Sequence, residues 1–235
     1  AGDIAHAFFA VSPTLLVLQG ALLWRREAPA AAIAASWALA TAIAAVYVDA
    51  FHIEPYRLEV TRHRIESPKL ARPLRIAVVA DLQTDRIGPY EERVFETLRA
   101  ERPDLVLFAG DYLQIEDDAA FARERERLRA LLAPPGFAPP LGAFAVRGNS
   151  DRYNWHTIFE GTAVRPLDDG TADLPERNVL VVGLGMGTSG DAGPDALRRM
   201  FPDDPPGRFT IALGHYPEFA FPPDGEPPFD LCLAG

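Results

Sequence analysis

The sequence predicts an α/β domain of layered sheets flanked by helices, preceded by two membrane-spanning helices. After residue 74, short apolar runs alternate with segments of helical periodicity, which is the pattern of a layered α/β domain. Residue types that bind metals follow four of those runs directly. Before residue 55, two apolar stretches have the length needed to cross a bilayer.

The apolar stretches cover residues 4–24 and 30–53, with Arg25, Arg26 and Pro29 in the turn between them. They predict a transmembrane hairpin within residues 1–55. A secretory signal and a buried helical hairpin are the alternatives, although the second stretch is too long for the apolar core of a signal. A helical cap on a soluble hydrolase is a further alternative.

Residues 56–73 form a basic juxtamembrane linker. Its positively charged residues, together with the next arginine, follow the second apolar stretch closely: Arg57, Arg62, Arg64, Lys69, Arg72 and Arg75. The positive-inside rule therefore favours the cytoplasmic face for the following domain of an integral membrane protein. The linker either touches anionic headgroups or is simply solvated.

Composition excludes several classes of function. The 235 residues carry a formal net charge of −10, and the acidic excess lies after residue 80. An acidic domain disfavours nucleic-acid binding, which depends on neutralising phosphates. Cys232 is the only cysteine, so an internal disulfide and a cysteine-based zinc site are excluded.

Residues 74–235 are predicted to form the second domain. Its predicted strands are 74–80, 104–109, 142–147, 178–183, 208–213 and 229–234, and its predicted helices are 90–100, 119–132 and 194–200. The charged run 123–127 is interpreted as a solvated helix face. The glycine-rich segment 183–193 is interpreted as a loop, and 222–228 as a proline-rich turn.

Four strand ends carry candidate ligands: Asp81-Leu82-Gln83, Gly110-Asp111, Gly148-Asn149-Ser150-Asp151 and Gly214-His215. The carboxyl ends of parallel strands converge on one crevice. Oxygen and imidazole ligands suit Mg, Mn, Fe or Zn. Taken singly, the aspartates and Asn149 are also common in turns and caps, and His215 also suits a buried, hydrogen-bonded position.

In order and spacing, this series resembles the calcineurin-like metallophosphoesterases from about residue 74 onward. The resemblance implies a layered β-sandwich hydrolase with two divalent ions. Asp111 would bridge the ions, Asp81 and Gln83 would serve the first, and Asn149 and His215 the second. Such an ion pair activates a water and clamps the attacking and leaving oxygens of a phosphoryl displacement.

The resemblance also implies a catalytic set of Asn149, Asp151 and His215. Gln83 departs from the family pattern because it replaces a histidine, and its amide oxygen is a weaker ligand than imidazole. We expect lower affinity for the first ion, or a site that holds one ion. Residues 229–235 resemble the beginning of the family's final Gly-His-x-His block, so we expect a fragment; the initial Ala1 suggests the same.

Ser150 replaces the family's catalytic histidine, and a hydroxyl cannot protonate a leaving group at neutral pH. A nucleoside monophosphate leaves without that proton. The sequence in this respect resembles the UDP-diacylglucosamine hydrolases of lipid A biosynthesis, which suggests a lipid-linked substrate beside a membrane. His156 is another candidate acid or a plain structural histidine, and Arg147 and Arg152 either bind substrate phosphate or are solvated.

Two functions follow from these residues. The first is a membrane-anchored, metal-dependent phosphodiesterase or pyrophosphohydrolase acting on a lipid-linked or nucleotide phosphoester. The second is a membrane-tethered pseudoenzyme that uses the same fold for binding or scaffolding, because Gln83 and Ser150 replace expected residues. A Gly-His-x-His block beyond Gly235 would favour the enzyme.

Overall fold

A computed structural model describes residues 2–201, 207–222 and 227–235. The chain divides into two units, residues 1–63 and 64–235. Most of the predicted proline-rich turn at 222–228 lies outside the described residues.

The first unit is a helical hairpin of α1 (Gly2–Arg25) and α2 (Ala30–Val48), extended by a π-helical turn, Asp49–Ile53, and a 3-10 turn, Glu54–Tyr56. The helices are joined laterally where Ser36 Oγ donates to the Leu16 carbonyl at 2.8 Å. Within this hairpin, Ala7–Arg25 and Ala30–Tyr56 have mean hydropathies of 1.7 and 1.9, and little of either is buried. Both are long and apolar enough to cross a membrane.

The second unit contains two four-stranded sheets. The first sheet is parallel, in the order β1 (Ile76–Val79), β2 (Leu105–Phe108), β3 (Ala143–Ala145) and β4 (Val164–Pro166). The second contains β5 (Gly170–Leu174), β6 (Val179–Gly183), β7 (Phe209–Leu213) and β8 (Leu231–Leu233) in sequence order. Only the β5–β6 pair in these described strands is antiparallel.

The core explains the layering. Alternate side chains of β2 point to opposite faces, so Leu105 and Leu107 pack against the second sheet while Val106 and Phe108 face the helices. The helices are α3 (Pro89–Ala100), α4 (Asp118–Leu132), α5 (Met186–Asp191) and α6 (Pro194–Met200). Two sheets flanked by helices confirm the predicted α/β class.

Three local predictions were wrong or incomplete. The segment 183–193 is not simply a loop, because it contains α5, whose Ser189 is fully buried next to Gly214. Strands β4 and β5 were not predicted. The run 123–127 is not uniformly solvated, because Glu124 is only 2% exposed.

Candidate metal centre

The predicted ligands lie where strands end. Asp81 and Gln83 follow β1, Asp111 follows β2, Asn149 follows β3, and His215 follows β7. The first three strands are neighbours in the parallel sheet, so their carboxyl ends share one edge. The second sheet contributes His215 from a strand flanked on both sides by other strands.

Three of these residues adopt left-handed backbone conformations: φ is 49° at Asp81, 38° at Gln83 and 57° at Asp111. Such conformations cost about 1–3 kcal/mol each and concentrate at functional sites. Backbone hydrogen bonds hold them in place, from Asp81 N to Gly110 O at 3.2 Å and from Gln83 N to Asp111 O at 2.8 Å. The turns after β1 and β2 are thus fixed to each other.

The turns after β2 and β3 approach very closely. A Cβ at Gly148 would collide with the backbone nitrogen and the carboxylate of Asp111, and a Cβ at Gly110 would collide with Gly148. Glycine is therefore required at both positions. The approach allows the backbone N–H of Ser150 to donate to Asp111 Oδ1 at 2.8 Å.

Ligand atoms of Asp81, Asp111 and His215 all lie within 4.8 Å of one another. Nδ1 of His215 is 2.9 Å from the carbonyl oxygen of Ala109, which can only accept, so Nδ1 is assigned as the protonated donor in this contact. Nε2, on the other side of the ring, lies 2.6 Å from Asn149 Oδ1 and 3.8 Å from Asp111 Oδ1.

A carboxylate oxygen of Asp111, the amide oxygen of Asn149 and Nε2 of His215 therefore converge on one point. Such a cluster is stabilised by a cation, and the donor set of carboxylate oxygen, amide oxygen and imidazole nitrogen suits Mg, Mn, Fe or Zn. These residues fit a divalent metal. Asp81 is exposed at the mouth of the same cluster.

Gln83 lies at the centre, but its amide is turned as a donor. Nε2 lies 2.6 Å from Asp111 Oδ2 and 3.2 Å from Ser150 Oγ. A carboxylate accepts only, so the amide nitrogen faces it. Gln83 and Ser150, the two departures from the family pattern, therefore contact each other.

Asp151 has a different environment from the other candidates. Its carboxylate is buried and accepts backbone hydrogen bonds from Asp111 at 2.9 Å, Gly148 at 2.8 Å and Tyr112 at 2.8 Å. Burial raises the pKa of Asp151, and these hydrogen bonds oppose that increase. The buried carboxylate therefore connects the turn after β2 to the turn after β3.

Tyr112 supports this arrangement and was not anticipated. It stacks on Trp155, with centroids 6.2 Å apart, and its hydroxyl donates to the Val146 carbonyl at 2.6 Å. Burial, followed by the charge of Asp151, raises the pKa of Tyr112. The sequence signal that could have identified Tyr112 as part of the site was its position directly after Gly110-Asp111. The Ala109 carbonyl, which fixes the His215 tautomer, leaves no trace in the residue pattern.

The flanking basic residues differ in their availability. Arg152 contacts the Ile115 and Glu116 carbonyls and the Asp118 carboxylate, and lies over the Phe121 ring. These contacts bind its guanidinium to the turn before α4 and to the beginning of that helix. Nη2 of Arg147 donates to the Asp151 carbonyl at 3.1 Å, while its Nε is buried without a hydrogen-bond partner among the described residues. His156 is exposed on the 3-10 turn Trp155–Phe159.

Comparison with known proteins agrees with this geometry. Residues 74–231 match the family model of the calcineurin-like phosphoesterases. An uncharacterized metallophosphoesterase of Aquifex aeolicus (strain VF5) is 32% identical over 115 residues, covering 46% of this chain and 41% of the relative. The aligned region thus spans less than half of that relative. The match over residues 74–231 covers most of the chain, which therefore belongs to the calcineurin-like phosphoesterase family.

Proposed function

We propose that the protein is a membrane-anchored, metal-dependent phosphodiesterase or pyrophosphohydrolase. The observation that carries the proposal is the convergence of possible ligand atoms from Asp111, Asn149 and His215 beside Asp81. Family membership supports metal-dependent hydrolysis of phosphoesters in general. The two apolar helices support the membrane anchor, and the basic linker supports a cytoplasmic domain.

We assign two divalent ions to the centre, with Asp111 shared between them. Asp81 and Gln83 would serve one ion, and Asn149 and His215 the other. A divalent cation held there lowers the pKa of a water and neutralises charge on phosphoryl oxygens. Because the Gln83 amide donates to Asp111, its side chain must rotate to present oxygen, so we expect its ion to bind more weakly.

The remaining residues orient the reacting groups. Asn149, which is exposed, and His215, which is buried, are candidates for contact with the substrate phosphoryl group. Asp151 acts in this proposal as a positioning residue, because backbone donors engage both oxygens of its carboxylate. Arg147 anchors the same turn through the Asp151 carbonyl.

The substrate class follows from Ser150. Its hydroxyl is no acid at neutral pH, so the leaving group must depart as a stable anion. The phosphate of a nucleoside monophosphate meets this condition and an alkoxide does not. We therefore propose a pyrophosphate or aryl-like phosphoester, with a lipid-linked nucleotide as the class that suits a membrane anchor.

The test is hydrolysis of bis(p-nitrophenyl) phosphate by the full chain in detergent, with Mn, Mg, Fe or Zn. The proposal predicts metal-dependent turnover that is lost in Asp111→Ala. The exposed Asp191→Ala variant is the matched control and should retain turnover. Turnover equal to the Asp111→Ala background with every metal would contradict the proposal.

A binding or scaffolding protein is the second candidate. It is favoured by the contact of Gln83 with Asp111 and Ser150, which occupies an oxygen of the proposed bridging carboxylate. That role predicts no turnover even when metal is bound.

A further inference from the structure

An open cleft of about 410 Å³ lies between the loop after β1 and one face of α4. Its lining includes three arginines, Arg86, Arg123 and Arg127, together with Asp85 and Glu124. The three guanidinium groups give the cleft a local excess of positive charge over the carboxylates of Asp85 and Glu124, in a chain whose net charge is −10. None of these residues belongs to the metal centre.

Glu124 is the buried carboxylate that orients the groups lining the cleft. It is 2% exposed and accepts from Ile87 N at 3.0 Å, Arg123 Nε at 3.0 Å and Arg127 Nη1 at 3.2 Å. Burial alone would raise its pKa, but the Ile87 hydrogen bond and the two arginines lower the pKa overall, so Glu124 is ionised near neutral pH. The buried carboxylate thereby fixes two guanidinium groups at the cleft wall.

The arginines retain guanidinium N–H groups that Glu124 does not engage. The side chains of Arg123 and Arg127 are 60% and 49% exposed, and Glu124 contacts one nitrogen of each at its closest approach. The guanidinium of Arg86 is exposed, and no group within residues 2–201, 207–222 and 227–235 pairs with it. A guanidinium fork matches the oxygens of a phosphate group in geometry and charge.

The cleft is adjacent to the metal centre along the chain. Arg86 comes three residues after Gln83, so their Cα atoms are at most roughly 11 Å apart. Two backbone interactions hold the loop between them. The N–H of Gln83 donates to the Asp111 carbonyl at 2.8 Å, and Thr84 forms an isolated β-bridge with Leu113. The loop therefore keeps Arg86 close enough to the metal centre for one substrate to contact both.

We infer that this cleft is an anion subsite that takes a phosphate group, with Arg86 and Arg123 as its principal donors. The inference rests on the proposed function in one respect: the phosphate is a second one on the substrate whose first phosphoryl group lies at the metal centre. Free inorganic phosphate has the same chemistry and is the alternative source. The carboxylate of Asp85 also lines the cleft and would repel a ligand that carries more negative charge than one phosphate group.

The first experiment removes the metal centre from the readout. Inorganic phosphate is titrated by calorimetry into the EDTA-treated full chain, as wild type, Arg86→Ala, Arg86→Ala/Arg123→Ala and Arg93→Ala. Arg93 is an exposed arginine of α3 and is the matched control. We expect saturable binding in wild type and Arg93→Ala, and affinity about tenfold lower in Arg86→Ala.

Among the described residues, the backbone of Arg86 bonds to the Thr84 hydroxyl, whereas its guanidinium has no hydrogen bond or ion pair. Its replacement by alanine should therefore not disturb folding, and thermal melting checks this directly. Equal phosphate affinity in wild type and Arg86→Ala/Arg123→Ala would overturn the inference, as would the lack of saturable binding to wild type. Asp111→Ala should keep phosphate binding although it loses turnover. Failure of the proposed function and failure of this subsite therefore give different results.

A second arm identifies the source of the phosphate. The ratio of kcat/KM for a nucleoside diphosphate sugar to that for bis(p-nitrophenyl) phosphate is measured in wild type, Arg86→Ala and Arg93→Ala. A ratio about tenfold lower in Arg86→Ala alone assigns the subsite to the substrate's second phosphate. An unchanged ratio with lost phosphate binding assigns it to free phosphate and overturns the substrate assignment.

Discussion

The amide nitrogen of Gln83 lies 2.6 Å from Oδ2 of Asp111, at the centre of the predicted metal site. A hydrogen bond to a carboxylate is a neutral substitute for part of the charge compensation that a cation would give. The same nitrogen lies 3.2 Å from Ser150 Oγ. The two residues that depart from the family pattern thus form one local network around the proposed bridging carboxylate.

Gln83→His should raise metal affinity at the weaker position. An imidazole nitrogen is a stronger ligand than an amide oxygen for Mn, Fe or Zn, so we expect affinity about tenfold higher for the second equivalent. Metal content by mass spectrometry after equilibrium dialysis measures it. The exposed Gln114→His is the matched control. Identical metal content in both variants would show that position 83 does not face a metal.

Ser150→His should change the preference for leaving groups. An imidazole at this turn can protonate an alkoxide, and general acid catalysis contributes about 10²–10⁴-fold. We expect kcat for an alkyl phosphodiester to rise by at least about tenfold, with a smaller change for the p-nitrophenyl ester. The two rates are compared with those of Ser150→Ala. An equal change in both rates would argue against proton supply from this position.

Asp151→Asn should destabilise the domain and loosen the centre. The amide retains one acceptor oxygen, while three backbone N–H groups, of Asp111, Tyr112 and Gly148, lose a carboxylate. We expect the free energy of unfolding to fall by about 2–4 kcal/mol, since leaving buried donors without an acceptor is costly. Urea denaturation measures it, with the exposed Asp191→Asn as control. A loss below about 0.5 kcal/mol would contradict the positioning role.

Acid should weaken the contact between Asp230 and Lys69. Burial raises the pKa of Asp230, but hydrogen bonds from Lys69 and Thr210 lower it below its ordinary value overall. Because the folded pKa is the lower one, the stabilisation is complete above the unfolded pKa and disappears as pH falls through the folded pKa. The difference in unfolding free energy between wild type and Asp230→Asn should therefore shrink below about pH 4. A gap that is constant between pH 7 and pH 3 would rule this out.

The sequence located the strand ends that carry the candidate ligands more completely than it located the elements around them. Apolar runs that end in Asp81, Asp111 and His215 are local patterns, and the parallel sheet brings their ends together. The helix α5 was missed because its glycines lower helix propensity. Its stability comes from non-local packing of Ser189 against the turn at Gly214, which periodicity cannot detect.

The roles of side chains were harder to predict than their positions. The carboxylate of Asp151 accepts three hydrogen bonds from backbone N–H groups. Two of those donors lie about forty residues away in the sequence, so only the folded turns bring them to Asp151. Glu124 sits in a run of alternating charges that resembles a solvated face. Its burial follows from the loop after β1, whose Ile87 N–H needs an acceptor.

The most direct test measures bound Mn²⁺ and turnover in the same samples of the full chain. Mn²⁺ is titrated into wild type, Asp111→Ala, His215→Ala and Asp191→Ala, with free metal followed by electron paramagnetic resonance and hydrolysis of bis(p-nitrophenyl) phosphate followed by absorbance. We predict that turnover rises with occupancy in wild type and Asp191→Ala, and that Asp111→Ala and His215→Ala lose both. Tight Mn²⁺ binding that survives Asp111→Ala, or full occupancy of the wild type without turnover, would contradict a catalytic metal centre at these residues.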